Sequence, residues 1–214
     1  MNGQEAAILF QDGAVVVCVK PVGVDSQAGM CGVLKARLGG EVFCVHRLDR
    51  EVGGVIVYAR SPAAAAAMSK SITAGAPEKE YLAVCEGQPV PDAGEMRDLL
   101  YHDASKNKSY VVKRPRRGVR EALLDYAVLE TREGLSLVRV RLHTGRSHQI
   151  RVQFASRRLP LAGDARYGSK TRGGIALWSH SLAFPHPESG ETLCFSAAPP
   201  KAPPWTMFDT KTAR

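Results

Sequence analysis

The chain lacks most features that would tie it to a secreted, membrane or metal-bound setting. Its five cysteines, Cys18, Cys31, Cys44, Cys85 and Cys194, are odd in number, scattered, and include no Cys-x-x-Cys pair. That argues against a disulfide framework or a cysteine zinc site, and for buried thiols in a reducing compartment. No apolar run approaches membrane-spanning length. The opening Met1-Asn2-Gly3-Gln4-Glu5 has no basic stretch followed by an apolar core, so a secretory leader is not expected. Acidic residues are in deficit: 21 Asp and Glu against 29 Lys and Arg give a net charge of +8. A cytoplasmic, soluble protein with a polyanionic partner is the expectation.

What is present suits a compact fold. A length of 214 residues with 44% hydrophobic content fits one domain over residues 1–214, with two lobes. The positive charge is clustered. Lys106, Lys108, Lys113, Arg114, Arg116, Arg117 and Arg120 fall in one short stretch before Glu121. Arg139, Arg141, Arg146, Arg151, Arg157 and Arg158 form a second group. Such clustering is the footprint of a nucleic-acid binder, although a charge run is also compatible with a merely solvated face.

Short strands are expected at residues 6–10, 14–20, 54–60 and 80–86, from β-branched runs and alternation between turn signals. Three more, at residues 109–113, 122–131 and 135–142, are expected as antiparallel neighbours, and a last strand region at residues 176–184 and 192–196. Helices are expected at residues 30–38, from a Ser61 cap through the alanine run to about Ile72, and from about Ser147 to Arg157. In the last of these Ile150 and Phe154 share a buried face. Residues 88–97 carry Pro89, Pro91 and Gly94 and read as a loop between lobes. The elements do not alternate regularly, which favours an α+β fold with a largely antiparallel sheet.

The run His46-Arg47-Leu48-Asp49-Arg50-Glu51-Val52-Gly53-Gly54 sets a carboxylate between two guanidinium groups, beside a Gly-Gly pair and an apolar strand. Glycines there permit close approach of backbone or ligand. Taken alone, Asp49 reads equally as a salt-bridge partner of its neighbours. Three further segments accompany it: residues 79–87 (Lys79-Glu80-Tyr81-Leu82-Ala83-Val84-Cys85-Glu86-Gly87), residues 142–152 with His143-Thr144-Gly145-Arg146-Ser147-His148-Gln149-Ile150-Arg151, and residues 159–168 with Gly163-Asp164-Ala165-Arg166-Tyr167-Gly168.

These four segments, in this order, resemble the RluA family of RNA pseudouridine synthases over about residues 8–200. Lys20-Pro21-Val22-Gly23 and Phe184-Pro185-His186-Pro187 are weaker echoes. The resemblance implies a pseudouridine synthase catalytic fold, with a central, mostly antiparallel mixed sheet and two lobes around a cleft. It implies isomerisation of uridines in ribosomal or transfer RNA, without cofactor or metal. Asp49 matches the family's catalytic aspartate, Tyr81 the tyrosine that stacks on the target base, and Arg146 the arginine that pairs with the aspartate. Arg47 matches the arginine that holds the flipped nucleotide. Lys106, Lys108, Lys113, Arg114, Arg116 and Arg117 are expected to face RNA, and Arg151 with them. His46, His148 and Gln149 are expected to be structural. The sequence departs from the family in two places: Val52-Gly53 stands where the family has Thr-Ser, and Gln153 where it has histidine. An S4-like RNA-binding domain before residue 8 is not expected, and a monomer is the default expectation. The competing reading is a noncatalytic RNA-binding protein that retains the fold.

Overall fold

The computed structural model describes residues 6–210, so the reading of Met1-Asn2-Gly3-Gln4-Glu5 lies outside the described residues. In chain order the elements are β1 (Ala7–Gln11), β2 (Val15–Lys20), α1 (Ala28–Leu38), β3 (Phe43–Cys44), β4 (Gly53–Ala59), α2 (Pro62–Thr73), β5 (Glu78–Glu86), β6 (Ala93–Asp103), β7 (Lys108–Val112), β8 (Val119–Arg132), β9 (Leu135–Leu142), α3 (Gln149–Ser156), β10 (Leu177–Pro185) and β11 (Thr192–Ser196). Short 3-10 turns at Ala165–Tyr167 and Trp205–Met207 follow α3 and β11. The chain divides into two compact units. One holds the described residues up to Lys79 together with Ser179–Ala198; the other holds Glu80–Trp178 and the residues from Pro199 on.

The first unit is built on β2 and β4, antiparallel from Val15 opposite Ala59 to Lys20 opposite Gly54. Both read as near-continuous β-branched runs because both of their faces are covered. β1 pairs with the free edge of β2, β10 lies beside β4, β11 pairs with β10, and β3 pairs with the end of β4. Ser61 caps α2 by accepting the Ala64 N–H at 3.1 Å, and Pro62 fills the first turn. The alanines of α2 let it lie close to the sheet, with Ala64 and Met68 against Val15, Val17, Val55, Val57, Leu182 and Phe184. Burying each of the larger side chains contributes about 1.5–3 kcal/mol.

The second unit orders its strands β5-β9-β8-β6-β7. The long β8 pairs antiparallel with both β9 and β6, and β6 pairs with β7. Ile150 and Phe154 of α3 are buried as expected, the latter edge-on to Tyr126. Two expectations need correction. Residues 88–97 do not run between the units: they lie within the second, and Ala93 already begins β6. The strands β7 and β8 are not neighbours, because β6 lies between them. The cause is the composition of β6, whose Gly94, Glu95, Arg97 and Asp98 hide the alternation of a half-solvated strand.

Candidate active site

Asp49 belongs to the first unit and sits, partly buried, at the start of a tight turn closed by the Val52 N–H donating to the Asp49 carbonyl at 3.0 Å. Three side chains fix this turn from below. Ser26 donates to the Leu48 carbonyl at 2.8 Å and accepts the Leu48 N–H at 3.1 Å, so both backbone groups of the residue before Asp49 are held. Tyr58 of β4 donates to the Ser26 carbonyl at 2.8 Å and anchors that clamp to the sheet. Lys20, at the end of β2, is fully buried and donates to the carbonyls of Pro21, Val24 and Arg50 at 2.9, 2.7 and 3.2 Å. The Arg50 carbonyl also accepts the Gly23 N–H, while Arg50 Nε donates to the Gly23 carbonyl, each at 2.8 Å. Residues 20–26 therefore form a cradle of backbone and side-chain bonds under the Asp49 turn.

The electrostatics of this cradle rest on Lys20. Burial pushes its pKa down to about 8, while the nearby Asp25 and Asp49 pull it back up. Its three carbonyl acceptors stand in for water around the ammonium. His46 precedes the turn. It is half-buried, and its Nε2 accepts the Val57 N–H at 3.2 Å. Burial, with the Lys79 charge second, pushes its pKa down to about 3, so the ring is neutral and structural at neutral pH. Val52 is buried in the core, and its N–H closes the turn; the departure from Thr-Ser thus exchanges hydroxyls for packing. At Gly54 the φ is +118°, and a Cβ would fall on the Ser179 carbonyl of β10, so only glycine fits between the strands. Arg47 is exposed.

Tyr81 and Arg146 belong to the second unit. Tyr81 lies on β5 and is mostly buried. Arg146 lies exposed in the loop between β9 and α3, its Nε donating to the Glu121 carbonyl at 2.8 Å. Gln149 organises this loop. Its Oε1 accepts from Thr144 Oγ1 at 2.8 Å and from the Arg146 N–H at 3.0 Å, and its Nε2 donates to the Leu123 carbonyl at 3.1 Å. His148 has a left-handed backbone, φ 54°, which costs a non-glycine residue about 1–3 kcal/mol and needs support from its surroundings. The support is the Tyr167 hydroxyl, 3.0 Å from His148 Nδ1, with the two rings edge to face.

The basic stretch is a hairpin of β6 and β7 followed by an exposed loop. Lys106, Lys113, Arg114, Arg116 and Arg117 are exposed. Arg116 lies over the Tyr101 ring at 4.8 Å, and the half-buried Lys108 lies between the rings of Tyr110 and Tyr167 at 5.7 and 5.3 Å. Arg151 corrects an expectation. It is 2% exposed and forms a two-pronged ion pair with the equally buried Asp164, at 2.7 and 2.9 Å, so it is closed to RNA phosphates. Gln153 is also interior: its Nε2 donates to the Met96 carbonyl and to Asp98, the latter at 2.7 Å. Sequence reasoning missed Lys20, Ser26, Tyr58 and Tyr167 as residues that support the site. For Lys20 the one available signal was the Lys-Pro-Val-Gly echo.

Among the described residues, no group of three or more His, Cys, Asp or Glu side chains is placed to hold a metal ion, and no helix is long and apolar enough to cross a membrane. The family model for RNA pseudouridylate synthase matches residues 14–156. An uncharacterised RNA pseudouridine synthase of Bacillus subtilis is 32% identical over 209 residues, covering 90% of this chain and 68% of the relative. The ribosomal large subunit pseudouridine synthase C of Pasteurella multocida is 30% identical over 210 residues, covering 90% of this chain and 64% of the relative. Among solved structures, the human RNA pseudouridylate synthase domain containing 1 matches with a TM-score of 0.79 at 22% identity, covering 92% of this chain and 85% of that one. That likeness establishes the fold, the α+β pseudouridine synthase fold.

Proposed function

We propose, from the premise that the chain belongs to the RNA pseudouridylate synthase family, that it isomerises specific uridines of ribosomal or transfer RNA with Asp49 as its essential catalytic carboxylate. In this reaction the bond from N1 to C1′ breaks, the base turns, and a bond from C5 to C1′ forms. The proton on C5 is lost and N1 gains one, so no oxidant, metal or cofactor enters the balance. What the protein must supply is a fixed carboxylate at the nucleotide, a surface for the detached base, and charge for the RNA backbone. The observation that carries the reading is the cradle beneath Asp49, in which Lys20 and Ser26 hold the turn that presents Asp49 through its backbone.

The other roles follow the resemblance. Tyr81 stacks on the base, a contact worth about 1–3 kcal/mol. Arg146 supplies guanidinium charge to the reaction centre. Arg47 holds the flipped nucleotide, and Lys106, Lys108, Lys113, Arg114, Arg116 and Arg117 neutralise phosphates. Relatives named for the large ribosomal subunit support ribosomal RNA as the first substrate to try. The reading also carries a cytoplasmic, monomeric enzyme. Tritium release from C5-tritiated uridine transcripts tests it, with large-subunit rRNA fragments and tRNA pools as separate substrates. Release from one class names the substrate; release from neither, with RNA binding kept, favours a noncatalytic RNA-binding protein.

A further inference from the structure

The segment 159–168 contributes no residue to the roles above, yet the structure ties it to both parts of the second unit that the reading uses. We propose that the turn Asp164–Gly168 is a clamp that docks the basic hairpin onto the N-terminus of α3, and that Tyr167 and Ser109 are positioning residues for the reaction. The inference rests on the reading of the hairpin as the arm that holds RNA.

The clamp is itself anchored on both sides. Before it, the buried Asp164 is ion-paired to Arg151 of α3. After it, one oxygen of Glu86 accepts from Ser169 Oγ, from the N–H groups of Lys170 and Thr171, and from Thr171 Oγ1, at 2.6 to 2.8 Å. Between these anchors, Arg166 donates to the Lys106 and Asn107 carbonyls at the hairpin tip, at 3.0 and 3.2 Å. The Tyr167 hydroxyl accepts the Ser109 N–H at 2.8 Å and reaches His148 Nδ1 at 3.0 Å. Ser109, 1% exposed and one residue past the start of β7 near the hairpin tip, donates to the Ser147 carbonyl at 2.6 Å. His102, opposite Ser109 on β6, completes the cluster with Nδ1 3.1 Å from the Ser109 hydroxyl.

Two hydroxyls thus connect the hairpin to Ser147 and His148, which directly follow Arg146. His148 is the strained residue of that loop, so its restraint by Tyr167 is also a restraint on the backbone that carries Arg146. RNA charge is met by the exposed lysines and arginines, none of which depends on these hydroxyls. The clamp therefore governs where the hairpin delivers the RNA relative to Arg146 more than how tightly RNA binds.

The experiment compares Tyr167→Phe, which keeps the ring under Lys108 and Arg151, and Ser109→Ala with the wild type in the full chain. Hydrogen exchange without RNA is expected to speed up about tenfold at residues 99–112 while β8 and β9 are unchanged. Single-turnover tritium release per folded molecule is expected to fall about tenfold, with the Kd for RNA changed less than about threefold. Arg166→Ala, at an exposed position, is expected to reproduce the exchange effect at the hairpin tip and serves if Tyr167→Phe does not fold. Unchanged hairpin exchange overturns the clamp. Faster exchange with an unchanged rate, or a rise in Kd matching the fall in rate, overturns the positioning role. If the wild type releases no tritium from any RNA, the synthase reading and the positioning role fall together, while the exchange result still decides the clamp.

Discussion

The Asp49 turn and the Arg146 loop are both irregular segments held in place through their backbones, but by groups of different chemistry. Under the Asp49 turn the main tie is a buried ammonium, Lys20, flanked by a neutral, half-buried histidine, His46. Around the Arg146 loop the main tie is an uncharged amide, Gln149, helped by the Thr144 hydroxyl. An amide makes its donors and acceptors available at every pH. A buried lysine and a half-buried histidine do so only within a window set by their shifted pKa values. The tie under the Asp49 turn should therefore depend on pH, and the Gln149 tie in the second unit should not.

The largest expected effect is at the acid end. His46 titrates near 6.5 when unfolded and near 3 when folded, so below 6.5 the unfolded chain binds a proton that the fold refuses. Stability should fall as pH drops through this window, by about 1.4 kcal/mol per unit. His46→Gln keeps an acceptor for the Val57 N–H and should flatten that part of the denaturation-versus-pH curve; an unchanged slope breaks the comparison. Next in size is Lys20→Met, which removes the ammonium from the Pro21 and Val24 carbonyls and leaves the Arg50 carbonyl only the Gly23 N–H. It should cost on the order of 3 kcal/mol in denaturant unfolding at pH 7. The wild type, whose Lys20 pKa is lowered by folding from 10.5 to about 8, should gain stability relative to the variant between those values, since there the unfolded chain holds the extra proton.

A smaller effect sharpens the contrast from the other side. Gln149→Glu places a carboxylate against the Leu123 carbonyl and should cost about 2 kcal/mol at pH 7. On acidification the protonated acid donates again, so the variant should recover relative to wild type and make this tie titrate. Smallest in stability terms is Arg114→Gln with Arg116→Gln and Arg117→Gln. These exposed changes should each shift unfolding by less than about 0.5 kcal/mol while weakening RNA binding and its salt dependence.

How far the sequence reveals these features depends on whether they are local. The strands β2 and β4 are continuous apolar runs, and the Ser61 cap, Pro62 and alanines announce α2; all were legible. Asp49, Tyr81 and Arg146 stood out through the motifs around them. β6 was hidden because its polar residues alternate imperfectly and follow two prolines. Arg151 looked like its exposed neighbours in charge, and its partner Asp164 lies 13 residues away in a separate motif. Lys20 and Ser26 act on backbone carbonyls and amides about 22 to 30 residues distant, which leave no side-chain pattern to read.

The most direct test of the account is Asp49→Asn, which keeps the shape and the backbone turn but removes the charge. The variant is assayed by tritium release on the RNA that the wild type modifies, beside its RNA affinity and unfolding midpoint. The account predicts release at background with RNA affinity close to wild type and the fold retained, since Lys20 and Ser26 hold the turn through its backbone. Release at the wild-type rate would contradict it, and Asp49 would then be one more charge on a basic surface.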